Sequence, residues 1–499
     1  MVRRPSLCVH GHFYQPPREN PWTGRVEAQP SAAPAHDWNE RITEECYRAN
    51  SAARLLADPA RGLQARELSN YARMSFDFGP TLLAYLAREQ RDVHEALVAA
   101  DRDARRRFAG HGAAIAQSYS HSILPLAGPR DRRTEVRWGL ADFELRFGRK
   151  SEGLWLPECA VDTATLETLA DEDLRFTILA PGQAARVRRL GSSHWMEVGA
   201  EHRIDTRVPY LVPLAAGRSI AVFFYDGAVA HSIAFGEALA DGARLLAGLE
   251  RAEDGAGGLV HFATDGETYG HHQRFGEMGL AWMLERVDRG ESAFDLTVYA
   301  RHLDRHPPMH EVEIREKSSW SCAHGVERWR SDCGCSGGRR VGNQSWRGPL
   351  REALDLLREM LAPVYEREAG ELFDDPWEAR DRFAEVLVRR TPRVENLYLD
   401  REAGRVLPEP DKLRALQLLD MQRHALLMYA SCAWFFDDLS DIEPLQALAH
   451  AARAIELAGP AEAPRIERLF RRALARATGN DGTTGDVAFD RVVASHRPD

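Results

Sequence analysis

The sequence lacks several features that would assign it to other classes of protein. No run of apolar residues is long enough to span a bilayer. The seven cysteines are odd in number and scattered, which fits a reducing compartment better than a disulfide framework. The first residues, Met1 to Pro5, lead straight into a short strand containing histidines and do not resemble an export signal. We therefore expect a cytoplasmic protein.

The chain also lacks an excess of positive charge. The 65 Lys and Arg are outnumbered by 75 Asp and Glu, which gives a net charge of −10. Phosphate neutralisation requires a basic surface, so nucleic acid is not the expected partner, whereas a neutral polysaccharide would be unaffected. What the chain does have is length: 499 residues, 44% of them hydrophobic, suffice for a large core and more than one domain.

Apolar runs alternate with helical patterns up to about residue 306, which is typical of parallel βα units. We predict six strands directly, and a seventh is either missed near Glu67–Arg73 or absent. The six strands are Ser6–Phe13, Ala114–Tyr119, Gly153–Pro157, Phe176–Ala180, Ile220–Tyr225 and Leu259–Thr264. An α/β barrel is therefore expected over residues 1–306.

The composition changes after Pro307. A loop rich in Cys, Gly and Trp is expected to cover the active-site face at residues 307–345. Helical apolar spacing then predicts an α-helical domain at 346–480. The last stretch, 481–499, follows a polar, glycine-rich segment and is expected to be a mobile tail.

Two segments carry the main chemical signal: Leu154–Ala160, and Thr264–His272 further along the chain. Each reads as an apolar strand that runs into a turn bearing a carboxylate, Glu158 or Asp265, where a parallel barrel keeps its chemistry. Cutting a sugar acetal needs one acid to protonate the leaving oxygen and one carboxylate at the anomeric carbon. Either carboxylate alone would more simply be a helix N-cap or a surface ion pair.

Aromatic rings accompany both carboxylates. Trp155 and Tyr269 are flat apolar surfaces of the kind on which a sugar ring stacks. A lone tryptophan in a strand is more often simply part of the core. Both interpretations stay open at this stage.

Four blocks, in this order along the chain, resemble glycoside hydrolase family 57, particularly its branching-enzyme and amylase-like members. They are Val9–Pro17, Ala116–Leu126, Leu156–Cys159 and Asp265–His271. The resemblance covers roughly residues 6 to 440 and includes a helical C-terminal half that one subgroup carries as a domain of unknown function. It implies an incomplete (β/α)7 TIM-like barrel followed by an α-helical bundle.

The resemblance also implies roles for individual residues. Glu158 would be the nucleophile and Asp265 the acid/base. The expected substrate contacts within the matching blocks and beside the carboxylates are His10, His12, Gln15, Gln117, His121, Trp155, Glu267, Tyr269 and His271. The second block departs from better-studied members, which usually have a glutamate there, so substrate contacts are expected to differ.

Further contacts are expected from the loop and the helical domain. The loop could bring Trp320 and His324 toward the substrate, as loops on that face of a barrel commonly do. Trp434 and Asp437 either belong to the helical core or border the sugar-binding cleft. Cys322, His324, Cys333 and Cys335 look at first like a structural zinc site, but the one-residue spacer of Cys333 and Cys335 makes tetrahedral ligation awkward. A loop that closes over the barrel mouth is the favoured interpretation.

A metal-dependent mechanism competes with the two-carboxylate one. His10 and His12 point to the same face of one strand and, with His121, Asp265 or His271, could hold zinc in a deacetylase-like or mannosidase-like site. Glu158 would then have no role, and neutral histidines can simply bond sugar hydroxyls. We therefore predict no metal or other cofactor in the active site.

The sequence as a whole favours a retaining enzyme acting on α-glucan. Retention predicts that the Glu158 and Asp265 carboxyl groups lie about 5 to 5.5 Å apart, against about 6.5 to 9.5 Å for inversion. Asp265 should have a raised pKa from Glu158 and a partly dry site. Hydrolase, glucanotransferase and branching enzyme share these carboxylates; a metal-dependent deacetylase or mannosidase-like enzyme and a non-catalytic glycan-binding protein are the alternatives.

Overall fold

A computed structural model describes residues 4–56, 64–253, 255, 257–337 and 342–497. The chain forms two compact units, each assembled from three stretches. The first unit comprises Met1–Gln15, Ala28–Gln117 and Arg146–Glu316, and the second comprises Pro16–Glu27, Ser118–Leu145 and Lys317–Asp499. None of the helices in the described ranges combines the length and the apolar character that a bilayer crossing requires.

The first unit is built on seven parallel barrel strands among its described residues. They are β1 (Ser6–Phe13), β2 (Ser75–Phe78), β3 (Ala114–Gln117), β4 (Leu154–Trp155), β5 (Phe176–Leu179), β6 (Ser219–Phe224) and β7 (Leu259–Asp265). Strand β1 is fully buried along its length, as expected for a parallel strand covered on both faces. This arrangement confirms the predicted incomplete (β/α)7 barrel.

Pairing follows the chain around the barrel. β7 pairs with β1, and β1, β2, β3 and β4 pair in sequence order. Gly153 bridges Phe176 at the start of β5, and β5 pairs with β6 in parallel. After β6, the backbone N–H of Asp226 donates to the carbonyl oxygen of His261 in β7 at 2.9 Å.

Shorter strands extend the sheet beyond β6. The segments Tyr210–Pro213 and Ser219–Phe224 form an antiparallel pair, and Tyr210–Pro213 also pairs with His310–Ile314. Other short strands are Ala53–Leu55, Arg66–Leu68, Ala184–Arg189, Met196–Glu197 and Asp295–Leu296.

Helices surround the barrel strands in the first unit. The α-helices are Trp38–Ile42, Arg48–Ser51, Pro80–Glu89, Arg91–Arg107, Thr163–Asp171, Gly227–Phe235, Gly242–Glu253, Gly276–Asp288 and Tyr299–Arg305. A π-helical turn, Thr43–Tyr47, joins the first two of them.

The second unit is helical, as predicted for the C-terminal region. Its α-helices are Pro129–Phe147 (apart from the last two residues), Arg347–Ala369, Pro376–Arg382, Ala384–Val388, Pro392–Glu402, Glu409–Leu427, Cys432–Phe435, Ile442–Leu457, Ala463–Leu474 and Gly485–His496. Buried residues on the longer helices recur at helical spacing, for example Leu350, Leu354, Leu357 and Leu361.

The expected mobile tail at residues 481–499 is wrong over most of its length. Gly485–His496 is a helix with Ala488, Phe489 and Val492 buried on one face. The ring of Phe489 packs edge-on against Phe470 at 5.4 Å between ring centroids. The polar segment before the helix is a tight turn closed by a bridge between Thr478 and Thr484, so its composition marks a turn and not the end of ordered structure.

Candidate active site

The register of three neighbouring barrel strands sets out the centre of the site. His12 of β1 lies opposite Asp265 of β7 on one side and opposite Asp77 of β2 on the other. On the next pair, Gln117 of β3 lies opposite Trp155 of β4. All of these residues lie at or near the C-terminal ends of parallel strands, the end at which barrels of this type place their active sites.

Asp77 connects the polar side chains of this arrangement through hydrogen bonds. Its Oδ1 accepts from His10 Nε2 at 3.0 Å, and its Oδ2 accepts from His12 Nδ1 at 2.9 Å and from Gln117 Nε2 at 2.6 Å. His10 also bonds Ser75 Oγ through Nδ1 at 3.0 Å. The carboxylate has no exposed surface, so a buried charge is compensated by donors from two neighbouring strands.

His12 is held among negative charges. Burial opposes the charged imidazolium, but the charge and hydrogen bond of Asp77 outweigh it. The charges of Asp265 and Glu267 add to that effect and raise the pKa of His12 to about 8. The pKa of His10 moves in the opposite direction because burial outweighs its bond to Asp77. At neutral pH, therefore, the positive charge belongs to His12, the residue beside Asp265.

The aromatic residues predicted to hold the sugar are buried. The indole of Trp155 stacks on His10 and His12, with centroid distances of 4.8 and 5.0 Å and interplanar angles of 19° and 20°. Tyr269 is 0% exposed, and its hydroxyl accepts from Thr264 Oγ1 at 2.8 Å. Both rings are fully buried, which favours the core interpretation of Trp155.

Glu158 lies in a strained turn directly after β4. Its φ is 58° and that of Cys159 is 49°, a left-handed conformation that non-glycine residues rarely adopt. The turn is held by the N–H of Cys159 donating to Leu156 O at 2.8 Å and by Gln183 Nε2 donating to Cys159 O at 2.8 Å. Such strain costs on the order of 1–3 kcal/mol per residue and clusters at functional sites.

Asp265 is the accessible carboxylate of the site. It is exposed, while every other residue from Leu259 to Gly270 is buried. The protein still surrounds it densely enough that burial raises its pKa, and the charge of Asp77 adds to this increase while His12 opposes it. The pKa of Asp265 is thus raised as expected, mainly by burial, but the neighbouring charge that adds to the increase is that of Asp77 and not that of Glu158.

The residue after Asp265 must be glycine. A Cβ on Gly266 would lie 2.2 Å from ring atoms of Phe13, which is buried in β1. The chain can therefore turn sharply at the end of β7 without displacing the neighbouring strand. That turn fixes the position of the preceding aspartate.

Glu267 is a second carboxyl group with an altered pKa. Its Oε1 accepts from Tyr47 Oη at 2.6 Å and from the backbone N–H of Tyr14 at 3.2 Å. Burial raises its pKa to about 7, and the charge of Asp265 contributes while the Tyr47 bond opposes. Near neutrality Glu267 is thus divided between its acid and carboxylate forms.

The other predicted contacts in the first unit divide into two groups. Gln117 belongs to the Asp77 network, and Gln15 is 9% exposed. His271 instead pairs with Glu45 through Nδ1 and lies edge-on to Trp38. Of the residues considered for a zinc site, His10 and His12 bond Asp77, and His271 bonds Glu45.

The remaining predicted contacts belong to the second unit. His121 is 1% exposed and bonds Ser431 Oγ through Nδ1 at 2.7 Å. Trp434 is 1% exposed and donates from Nε1 to Arg347 O at 3.1 Å, as expected for a core residue. Asp437 accepts from the N–H of Gly337 at 2.6 Å. Trp320 is half-buried, and His324 joins the cysteines of its loop.

Sequence reasoning missed two residues of the site. Asp77 lies on strand β2, which we had expected several residues earlier, near 67–73. The alternation Ser75-Phe76-Asp77-Phe78, followed by Gly79 and Pro80, was the available signal. Tyr47 lies on the π-helical turn, an irregularity often found at functional sites.

The fold and site define a class: a parallel seven-stranded barrel with two carboxylates at its strand ends and a buried histidine and aspartate network beside them. Part of the chain matches glycosyl hydrolase family 57. Residues 107–315 match the family model described as Glycosyl hydrolase family 57, and residues 342–498 match one described as Domain of unknown function (DUF3536). The resemblance recognised in the sequence is thereby confirmed.

Curated relatives match over short stretches. A probable 1,4-alpha-glucan branching enzyme of Mycobacterium tuberculosis is 33% identical over 87 residues, 17% of this chain and 13% of that protein. A 1,4-alpha-glucan branching enzyme of Thermococcus kodakarensis is 43% identical over 53 residues, 10% of this chain and 8% of that protein. The chain thus spans less than a seventh of the length of either of these relatives.

Solved structures match over nearly the whole chain. An exo-type maltose-forming amylase from Pyrococcus sp. ST04 has a TM-score of 0.68 at 17% identity, covering 98% of this chain and 88% of that one. A GH57-type branching enzyme from Pyrococcus horikoshii has a TM-score of 0.56 at 16% identity, covering 99% and 95%. At these identities the likeness is one of fold.

Proposed function

We propose that this protein cleaves glycosidic bonds of α-glucan with retention of configuration and transfers the glycosyl group to water or to a glucan hydroxyl. The observation that carries the proposal is the pair Glu158 and Asp265. Both follow barrel strands at their C-terminal ends; one lies in a strained turn and the other is exposed with a raised pKa. A pair of carboxyl groups is what retaining glycosidases use.

In the first step the Glu158 carboxylate attacks the anomeric carbon and forms a glycosyl ester. The bond to the departing sugar oxygen breaks, and Asp265 gives its proton to that oxygen. This step needs Asp265 to be protonated, and its raised pKa favours that form. Glu158 is 9% exposed, so the ester would form in a largely dry position.

In the second step Asp265, now a carboxylate, takes the proton of the incoming hydroxyl. The oxygen of that hydroxyl attacks the anomeric carbon, and the bond to Glu158 breaks, which restores both carboxyl groups. The positive charge of His12 beside Asp265 stabilises the carboxylate form that this step requires. Burial therefore favours the protonated form of Asp265 that the first step needs, and His12 favours the carboxylate form that the second step needs.

The Asp77 network has a positioning role in this scheme. It holds His10 and His12 in fixed orientations between β1 and β2. Trp155 covers both imidazoles and removes them from water. The positive charge of His12 is thus held in place beside Asp265 before substrate binds.

The choice of α-glucan as substrate is supported by the names of related proteins. The M. tuberculosis and T. kodakarensis relatives are named as α-glucan branching enzymes, and the Pyrococcus sp. ST04 structure is named as an amylase. Those names belong to those proteins; their shared substrate class motivates α-glucan as the first substrate to test. A polysaccharide partner also agrees with the net charge of −10.

The test is to incubate purified protein with amylose and with maltooligosaccharides and to follow reducing ends and chain lengths together. Glu158→Gln is the matched inactive variant. Asp101→Asn is the control, because Asp101 is buried in the same unit but pairs with Arg149, outside the Asp77 network. We expect the changes in reducing ends and chain lengths that the unchanged protein produces to persist in Asp101→Asn and to disappear in Glu158→Gln.

The pattern of products separates the acceptors. New reducing ends indicate transfer to water, and redistribution of chain lengths without new reducing ends indicates transfer to a glucan. If Glu158→Gln retained full activity, the two-carboxylate scheme would be refuted. If the unmodified protein changed neither quantity, α-glucan would be the wrong substrate.

We also infer a cytoplasmic location. None of the seven cysteines forms a disulfide, including three that lie in one loop. A reducing compartment maintains such thiols. Fractionation of cells that produce the protein, with a cytoplasmic and an exported marker, tests this inference.

A further inference from the structure

Four metal-binding side chains converge in a loop of the second unit that the proposed reaction does not use. Cys322, His324, Cys333 and Cys335 each offer one ligand atom, and these atoms all lie within 4.8 Å of one another. Cys322 Sγ lies 3.8 Å from Cys333 Sγ and 3.8 Å from Cys335 Sγ. Cys335 Sγ lies 3.6 Å from His324 Nδ1.

The two sulfur–sulfur separations from Cys322 and the sulfur–nitrogen separation between Cys335 and His324 are those of the corners of a zinc tetrahedron. Zn–S bonds of about 2.3 Å and Zn–N bonds of about 2.0–2.1 Å place two sulfurs about 3.8 Å apart and a sulfur and a nitrogen about 3.5 Å apart. Both kinds of separation agree with the observed ones to about 0.1 Å. We propose that Cys322, His324, Cys333 and Cys335 bind one Zn²⁺ ion as a structural site.

The backbone explains how a one-residue spacer can supply two ligands. Gly334, between Cys333 and Cys335, has a φ of 75°, a left-handed conformation that glycine adopts without strain. Its N–H donates to Asp332 Oδ1 at 3.3 Å, which closes a tight turn. The turn brings the sulfurs on both sides of Gly334 to the same distance from Cys322.

The charged residues around the cluster also agree with a bound zinc ion. Three thiolates, a neutral imidazole and Zn²⁺ carry a net charge of −1. Arg347, which is 0% exposed, donates to Cys335 O at 2.8 Å, and Arg328, which is 4% exposed, donates to Ser336 O at 3.1 Å. Buried cations require nearby negative charge, and a zinc–thiolate centre would provide it together with Asp437.

The ligand chemistry selects the metal and its role. Thiolates are soft ligands, so the set disfavours Ca²⁺ and Mg²⁺. Four protein ligands close the coordination shell, which is the mark of a structural and not a catalytic zinc site. Its role would be to hold a loop whose next residues anchor the helical unit, since Trp329 Nε1 donates to Ser431 O at 3.1 Å.

A disulfide is the competing state of these thiols. It would need a sulfur pair at about 2.05 Å, whereas Cys322 is equally distant from two partners at 3.8 Å. The structure therefore favours three thiolates around one centre over one disulfide and a leftover thiol.

The experiment measures bound metal on the full chain, purified under reducing conditions and without an affinity tag that binds metal. Mass spectrometry of the metals should find one zinc per chain. The double variant Cys333→Ser, Cys335→Ser should lower zinc affinity by at least about tenfold. Cys432→Ser is the matched control, since Cys432 is a partly exposed cysteine of the same unit outside the cluster, and it should keep the zinc.

A second measurement uses the unchanged protein, in case the double variant does not fold. Removal of zinc by a chelator and addition of Co²⁺ should give the visible absorption of tetrahedral cobalt with thiolate ligands. The proposal is overturned if reduced protein given equimolar Zn²⁺ binds none, if the folded double variant keeps its zinc, or if peptide mapping finds Cys322 in a disulfide. Iron in place of zinc would also overturn the assignment.

Discussion

Replacing Asp77 with asparagine should release His12 from the charge that holds it protonated. Asparagine keeps the size of the side chain and removes its negative charge. In the unchanged protein the carboxylate accepts from His10 Nε2 at 3.0 Å and from His12 Nδ1 at 2.9 Å, with no exposed surface. The variant leaves the strands in place and changes mainly the electrostatics beside Asp265.

The magnitude follows from the pKa of His12, which is about 8 in place of its ordinary 6.5. The difference corresponds to about 2 kcal/mol in favour of the imidazolium. Burial alone would lower the pKa of His12, so in Asp77→Asn we expect it to fall below 6.5, a decrease of at least about 1.5 pH units.

The sign of the stability effect can be stated. A raised histidine pKa contributes stability in full below pH 6.5, and that contribution is lost as the pH rises through about 8. The variant should thus be less stable than the unchanged protein by about 2 kcal/mol near pH 6, and the difference should shrink above pH 8.

The assay is NMR titration of protein labelled in its histidine rings, with the His12 signal assigned by its loss in His12→Gln. Asp101→Asn is the control for the loss of a buried carboxylate in the same unit, and it should leave the pKa of His12 unchanged. A His12 pKa that stays near 8 in Asp77→Asn would refute the reasoning, because Asp265 and Glu267 would then hold the charge.

Three further predictions concern the other residues of the site. Activity on glucan should decline as the pH rises through the raised pKa of Asp265. In Asp265→Asn acting on glucosyl fluoride, whose leaving group needs no proton, this alkaline decline should be absent. Initial rates measured against pH would show both results. Glu267→Gln should alter the pH dependence of stability: a carboxyl pKa raised from 4.5 to about 7 contributes about 3 kcal/mol below pH 4.5, and this is lost as the pH rises through 7. Melting temperatures of both proteins from pH 5 to pH 8 should therefore diverge, and parallel curves would count against the raised pKa. Trp155→Ala should lower the free energy of unfolding by about 3–5 kcal/mol because it removes a fully buried ring, and a denaturant titration showing under 1 kcal/mol would contradict that placement.

The barrel could be predicted from the sequence because its long strands are continuous apolar runs. Ser6–Phe13 and Leu259–Asp265 are such runs, and the structure has them within a residue of the predicted bounds. Strand β2 was misplaced because it is four residues long and carries a charged residue, Asp77, among its apolar neighbours. Its identity depends on partners in β1 and β3 that are distant in sequence.

The proposed catalytic pair could be predicted for a similar reason. Glu158 and Asp265 each follow a recognisable strand, so local pattern and family resemblance both pointed to them. The full burial of Trp155 and Tyr269 could not be predicted, because composition does not reveal which face of a strand or turn a ring occupies. Tyr47 was missed because a π-helical turn has no simple periodicity, and its bond to Glu267 joins residues 220 positions apart.

The proposed zinc site, in contrast, was not favoured by the sequence. The spacing Cys333-x-Cys335 argued against a metal site when the chain was considered one segment at a time. The left-handed conformation of Gly334 and the approach of Cys322 and His324 from a preceding turn supply what the spacing lacked.

The central claim is that Glu158 is the nucleophile, and trapping its glycosyl ester tests it most directly. Asp265→Asn incubated with maltosyl fluoride should form the ester and hydrolyse it slowly, because the first step needs no proton and the second lacks its base. Peptide mass spectrometry should then find one maltosyl group on Glu158. A maltosyl group on another residue, or turnover of the fluoride with no labelled peptide, would contradict the account.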